Sequence, residues 1–208
     1  YEDSDGDGYG NAAVSLTQCV QPSGYVLDDT DCDDTNSTVN PATAWYEDSD
    51  GDGFGNPLVS LVQCAQPSGY VLDGTDCDDT NSAITPNTVW YEDSDGDGFG
   101  NAAVSLVQCT QPPGYVLDDS DCDDTDAALN PDAVWYEDVD GDGFGNATVS
   151  LAQCLQPTGY VADSTDCDDS DGSLNPNTVW YEDSDGDGYG NAAVSLTQCN
   201  QPTGYVLD

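Results

Sequence analysis

Aspartates alternate with small residues in Asp3-Ser4-Asp5-Gly6-Asp7-Gly8, and the pattern returns at Asp48, Asp93, Asp138 and Asp183. Alternate carboxylates on a tightly curved loop can aim at one point, and glycine permits the backbone angles of the curve. Converging oxygens suit a hard divalent cation. Calcium takes six to eight of them at about 2.3–2.6 Å, and the first half of an EF-hand loop has this same spacing. The backbone carbonyl of Tyr9 is the next expected ligand, with Asn11 supplying another directly or through water. The EF-hand pattern then stops. Its twelfth position, a bidentate Glu, is Val14 here, and no helix follows. Three carboxylates leave calcium short of oxygens, so the others must come from elsewhere in the chain.

The best source is a second acidic string, Asp31-Cys32-Asp33-Asp34, with Asp28 and Asn36 able to complete a further site. The expected ligands of the first copy are therefore Asp3, Asp5, Asp7, Tyr9, Asn11, Asp28, Asp31, Asp33 and Asp34. In the second copy they are Asp48, Asp50, Asp52, Phe54, Asn56, Asp73, Asp76, Asp78 and Asp79. The third has Asp93, Asp95, Asp97, Phe99, Asn101, Asp118, Asp121, Asp123 and Asp124. The fourth has Asp138, Asp140, Asp142, Phe144, Asn146, Asp163, Asp166, Asp168 and Asp169. The fifth has Asp183, Asp185, Asp187, Tyr189 and Asn191. Two or more calcium ions per copy are expected, some sharing carboxylates. Comparison of the copies shows what is dispensable. Ser4 becomes Val139, so that hydroxyl is not needed as a ligand, and Asp29 becomes Gly74 and Ser164.

A strict 45-residue period positions these strings. The repeats are 1–45, 46–90, 91–135 and 136–180, with a partial fifth at 181–208. A fixed period of this kind marks a tandem-repeat architecture built from one supersecondary unit. Val14 and Leu16 alternate with polar residues, as in a half-buried strand. Gln21-Pro22-Ser23-Gly24 is a turn signal, and Tyr25-Val26-Leu27 reads as a second short strand. Ala44-Trp45-Tyr46 and Val89-Trp90-Tyr91 read as a third. Val39, with its counterparts Ile84, Leu129 and Leu174, stays apolar and is expected in the core. No segment has useful helix periodicity. The fold class is mainly β and irregular: short strands, calcium loops and one disulfide per repeat, in an elongated rod or fibre.

A 45-residue unit buries too little apolar surface to stand alone, so staples are expected. Nine cysteines provide them. Two pairings are open. The in-unit pairing joins Cys19-Cys32, Cys64-Cys77, Cys109-Cys122 and Cys154-Cys167, leaves Cys199 odd, and contributes about 3 kcal/mol per bridge in the chain-entropy model. The rival joins Cys32 to Cys64 across units and interlocks the repeats. The in-unit pairing is the favoured one, because it would bring the Val-Ser-Leu strand and the second acidic string together. A zinc site is not expected, since CxxC spacing and His are both absent.

Composition narrows the function. The formal net charge is -42, with 42 acids and no Lys, Arg or His. Without a cation the carboxylates repel one another and oppose a compact state. Disordered acidic chains lack aromatics, yet this one carries four Trp, twelve Tyr, three Phe and nine Cys at fixed places in the repeat. No side chain can neutralise a phosphate, which excludes nucleic acid and anionic membranes, and no apolar run approaches a membrane span. A triad, a Schiff base and a cationic oxyanion stabiliser are all impossible, so the chain is not read as an enzyme. Regular cysteines suggest an oxidising, extracellular setting. The chain opens and closes inside a repeat and is expected to be a stretch of a longer polypeptide.

At the repeat junctions Trp45, Trp90, Trp135 and Trp180 are expected to pack on the neighbouring unit, with sugar stacking as the other reading. Asn36 and Asn146 head glycosylation sequons. Ser15, Ser60, Ser105, Ser150 and Ser195 recur in register and are candidates for O-linked sugar.

The string WYEDSDGDGFG…QC.QP.GYVLD…DCDD…NP resembles the bacterial metal-binding motif repeat of the MopE type. That family takes its name from a copper-binding outer-membrane protein of a methanotroph. The matching residues are Trp45, Tyr46, Asp48, Asp50, Asp52, Gly53, Gly55, Cys64, Pro67, Gly69, Tyr70, Asp76, Cys77, Asp78 and Asp79, with Asn130-Pro131 in another copy. A more distant similarity runs to thrombospondin type 3 repeats, which implies calcium loops combined with disulfides. The family name implies copper, whereas a chain with no His and no Met favours an oxygen-loving ion. The expected function is an extracellular fibril or surface stalk, with further repeats or identical chains as partners. The alternative is a metal-binding or carbohydrate-adhesion module of a larger surface protein.

Overall fold

Each Trp-Tyr-Glu segment becomes the central strand of a small antiparallel sheet. Trp, Tyr and β-branched neighbours favour extended backbone, and the turn residues around them stop the strand after four residues. In the computed structural model, residues 1–207 are described; residue 208, the last of the fifth repeat, lies outside them. The chain divides into two compact units, Tyr1–Trp90 with Leu106–Pro112 and Tyr91–Ser105 with Pro113–Asp208.

In the first unit, β1 (Ala44–Glu47) lies between β2 (Ser60–Val62) and β3 (Tyr70–Val71). Trp45 pairs with Leu61 and Glu47 with Tyr70. In the second unit, β7 (Val134–Glu137) lies between β8 (Asn146–Ala152) and β9 (Tyr160–Val161), and β10 (Val179–Glu182) between β11 (Asn191–Thr197) and β12 (Tyr205–Val206). The remaining sheet has the same order. β4 (Val89–Glu92) is central, with β5 (Asn101–Val107) and β6 (Tyr115–Val116) as edges. The first repeat follows the plan through isolated bridges of Glu2 to Asn11 and Tyr25. The tandem, all-β organisation is thus the one its periodicity predicts.

The core is thin. Trp45, Trp90, Trp135 and Trp180 are 4–8% exposed and dominate it. Each indole N–H donates to a backbone carbonyl, Trp45 to Gln63 at 2.8 Å and Trp180 to Gln198 at 2.7 Å. The partner carbonyl belongs to the following repeat. Burial of the rings removes the sugar-stacking reading. Thr43, Thr88 and Thr178 are buried beside them. The Thr43 hydroxyl donates to the Thr38 carbonyl at 2.9 Å and accepts the Asn40 N–H at 2.7 Å, which locks the turn leading into β1. Val39, Ile84, Leu129 and Leu174 are half-buried rather than fully enclosed.

The Val-Ser-Leu strands depart from expectation. They are edge strands and exposed along their length, with Val104 38% and Leu106 44% accessible. Alternation places their apolar residues on one face, but a three-stranded sheet has too little mass to cover that face.

The disulfides overturn the favoured pairing. The bonds are Cys32–Cys64, Cys77–Cys109, Cys122–Cys154 and Cys167–Cys199, each spanning 32 residues. Cys19-Cys32, Cys64-Cys77, Cys109-Cys122 and Cys154-Cys167 do not form, and Cys19, not Cys199, is free. The central strand explains this. Gln63 donates to Thr43 at 3.2 Å, so Cys64 sits at the Ala44 end of β1. Asp76 donates to Gly55 at 3.1 Å, so Cys77 lies past the Glu47 end. Two cysteines of one repeat are held at opposite ends of a strand and cannot meet. The longer loop is entropically affordable, at about 4 kcal/mol of stabilisation per bridge in the same model.

Two outcomes check this frame. Peptide mapping of the oxidised protein should recover Cys32 joined to Cys64 and Cys77 joined to Cys109, and no peptide joining Cys64 to Cys77. Trp45→Ala should destabilise its unit by about 3–5 kcal/mol, as for other large-to-small core changes, read by denaturant unfolding.

Candidate metal centre

The acidic loop is a run of aspartates that each fold back on the backbone. Asp3 Oδ1 accepts from Gly6 N at 2.8 Å and Oδ2 from Gly8 N at 3.3 Å. Asp5 Oδ1 accepts from Asp7 N at 3.1 Å, and Asp7 Oδ1 from Tyr9 N at 2.9 Å. Asp side chains bind backbone N–H groups two residues on with little strain. Gly6 and Gly8 take φ of 81° and 95°, values that side-chain-bearing residues rarely adopt, and so let the loop curl. One oxygen each of Asp3, Asp5 and Asp7 then lie within 4.8 Å of one another. The same holds for Asp48, Asp50 and Asp52, and for the loops starting at Asp93, Asp138 and Asp183.

The second oxygens carry the chemistry. Asp5 Oδ2, Asp7 Oδ2 and Asp31 Oδ2 are buried and have no hydrogen-bond partner. Asp50, Asp52 and Asp76 repeat this in the second copy. Buried polar atoms are almost always satisfied, and an unpaired one calls for an ordered water or an ion as its partner. Burial pushes the Asp5 carboxyl above the ordinary carboxylate range. Its N–H contact from Asp7 opposes this, and the charges of Asp7, Asp31 and Asp3 add to it. Asp50, Asp95 and Asp140 are raised for the same reasons. A multivalent cation would answer both the orphaned oxygens and the repulsion, so these residues fit a metal.

Asp31 arrives by backbone contact. Its N–H donates to the Gly10 carbonyl at 3.2 Å, and Asp76, Asp121 and Asp166 do the same to Gly55, Gly100 and Gly145. The approach requires glycine. A Cβ on Gly10 would lie 2.7 Å from the Asp28 carbonyl oxygen and 2.7 Å from Tyr1 Cβ. The two acidic strings therefore meet as expected, although the disulfide is not what holds them.

The members of the second string have different tasks. Asp34 clasps the loop, accepting from Ser4 Oγ at 2.8 Å, Ser4 N at 3.3 Å and Asn11 Nδ2 at 3.5 Å. These donors, the Ser4 hydroxyl foremost, hold its carboxyl below the usual range. Asp79 and Asp124 clasp Ser49 and Ser94 in the same way and are lowered too. In the fourth repeat Val139 leaves only its N–H, at 2.9 Å from Asp169. Asp33 is exposed and closes a local turn on Thr35, as do Asp78 on Thr80, Asp123 on Thr125 and Asp168 on Ser170.

Asp28, Asp73, Asp118 and Asp163 likewise close on Thr30, Thr75, Ser120 and Thr165. Asn36 Oδ1 accepts from Thr38. Among the described residues no second cluster of three acids forms in any repeat. Asn11, Asn56, Asn101, Asn146 and Asn191 each use Oδ1 on an N–H two residues on. In the fifth loop Asp185 and Asp187 are exposed.

Sequence reasoning missed Asn130 and Asn175, whose amides donate to Asp97 and Asp142 Oδ2 at 2.9 Å. The recurring Asn-Pro pair was the available signal. The sequon residues Asn36 and Asn146 accept from Thr38 and Thr148, and Ser15, Ser60, Ser105, Ser150 and Ser195 are exposed.

The family model Cu-binding_MopE, a metal-binding motif, matches residues 31–44, 76–89, 121–134 and 166–179. Each match begins on the aspartate that meets the loop and ends just before the buried Trp. The motif is a metal-binding one, not a catalytic domain, in keeping with a non-enzymatic chain. No curated protein and no solved structure matches the chain.

A neutral substitution separates the two faces of the centre. The fold favours the protonated form of Asp50, so that contribution is present at low pH and is lost as pH rises through its raised folded value. At neutral pH without metal, Asp50→Asn should raise the thermal midpoint. With metal present it should lower the midpoint relative to the parent. A midpoint unchanged in both conditions would exclude Asp50 from the centre.

Proposed function

We propose that the chain is an extracellular metal-binding module that holds one divalent cation, calcium by its chemistry, in each complete repeat. The observation that carries the reading is the set of buried, unpartnered carboxylate oxygens from Asp5, Asp7 and Asp31 and their counterparts. All the donors are oxygens. Eight of the nine cysteines are in disulfides, so no thiolate cluster competes for a softer ion. Carboxylate and carbonyl donors suit calcium, magnesium and manganese, and a site with no His, Met or thiolate is a poor one for copper. The Tyr9 carbonyl and water complete the sphere in this reading. The disulfides fit an oxidising, extracellular place.

A mechanical role, as a stalk or fibril, is a second reading. It is favoured by disulfides that cross from one repeat to the next. A bond between Cys32 and Cys64 makes each repeat depend on its neighbour, which suits a spacer under tension. The module reading needs no such polymer and rests on the centre alone.

Titration calorimetry with calcium, magnesium and copper(II) in separate runs tests the module reading. Calcium should bind at about one ion per complete repeat and raise the thermal midpoint, and chelator should reverse both effects. Tight copper binding with no calcium uptake would overturn it.

A further inference from the structure

The four complete repeats do not present the same centre. In the first and second, three carboxylate oxygens are buried and unpartnered: Asp5, Asp7 and Asp31, then Asp50, Asp52 and Asp76. In the third and fourth only two remain, Asp95 with Asp121 and Asp140 with Asp166. The missing member is accounted for by an amide. Asn130 Nδ2 lies 2.9 Å from Asp97 Oδ2, and Asn175 Nδ2 lies 2.9 Å from Asp142 Oδ2.

Both amides are held on several sides. Asn130 Nδ2 also donates to the Ala127 carbonyl at 3.2 Å, and its Oδ1 accepts from Asp132 N at 2.9 Å. Asn175 makes the matching bonds to Gly172 and Asn177 at 3.2 and 2.9 Å. The second repeat has Thr85 at this place, whose hydroxyl oxygen accepts from Asn87 N at 3.0 Å. It has no N–H to offer. In the first repeat Asn40 makes the matching bond to the Ser37 carbonyl, at 3.4 Å, but Asp7 Oδ2 stays unpartnered.

We infer that Asn130 and Asn175 are positioning residues that make the third and fourth centres tighter than the second. A carboxylate oxygen has two lone pairs, so an amide donor leaves one for an ion. Asp97 faces the like charges of Asp93 and Asp95, and the amide offsets part of that repulsion. The amide fixes its oxygen in the ring, so less ordering remains to be done on binding. Outer partners of this kind change metal affinity by about 10–100-fold. The chain would then load in two steps, with the third and fourth repeats first. The inference rests on the metal reading above and adds a grading to it.

The test is calcium uptake by the full oxidised chain, followed in competition with a fluorescent chelator. The parent should show two tight sites and further weaker ones. Asn130→Thr with Asn175→Thr should weaken the tight pair by about tenfold or more. Thr85→Asn should add one site to the tight class, a gain that a merely structural role would not give. If the double variant fails to fold, judged by tryptophan fluorescence, Thr85→Asn still decides. Uptake by equivalent sites, or no gain from Thr85→Asn, overturns the grading alone. No calcium uptake by any form overturns the metal reading and the grading with it.

Discussion

Carboxylates that face one another with no basic side chain to answer them are the constraint on which the structure turns. Asp3, Asp5, Asp7 and Asp31 are drawn together by backbone contacts, and the chain contains no Lys, Arg or His to face them. Every first oxygen in the loop is satisfied by an N–H, and the second oxygens of Asp5, Asp7 and Asp31 are left inward and bare. Bringing like charges close and out of water is unfavourable, and burial raises the carboxyl of Asp5 accordingly. Buried, unpartnered carboxylate oxygens recur in all four complete repeats, three in each of the first two and two in each of the third and fourth.

What holds the loop against this repulsion is modest and distributed. Asp34 grips Ser4 from the other string, the Asp31 N–H grips Gly10, and the Trp strand anchors both. Among the described residues the tryptophan is the only large apolar group well buried, and its N–H is tied to the next repeat. Each repeat therefore borrows its core from its neighbour. The disulfide obeys the same geometry, since it joins the end of one repeat to the strand of the next. Staple and core both cross the boundary that the sequence period draws.

The second acidic string divides its labour in a way that four adjacent letters conceal. Asp31 points inward, Cys32 bonds to the next repeat, Asp33 closes a turn in solvent, and Asp34 clasps the loop. Successive side chains leave an extended or turning backbone in different directions, so four consecutive residues cannot all serve one ion.

The sequence alone determined the period, the two acidic strings, the glycines that curl the loop and the tryptophan strand. These are local matters, set by side-chain chemistry and backbone sterics over a few residues. It also led to the expectation that the strings meet, because three carboxylates fall short of the six to eight oxygens that calcium takes. Tertiary structure decided which acid of the second string turns a bare oxygen inward and which clasps Ser4, since Asp31 and Asp34 differ only in where the backbone sends them. It decided the cysteine pairing as well. A separation of 13 residues looked easier to close than one of 32, but β1 holds Cys64 and Cys77 at its opposite ends, and that rigid spacing outweighs the small entropic difference. Burial of the apolar edge strands failed for a related reason, because three short strands lack the bulk to cover both of their faces.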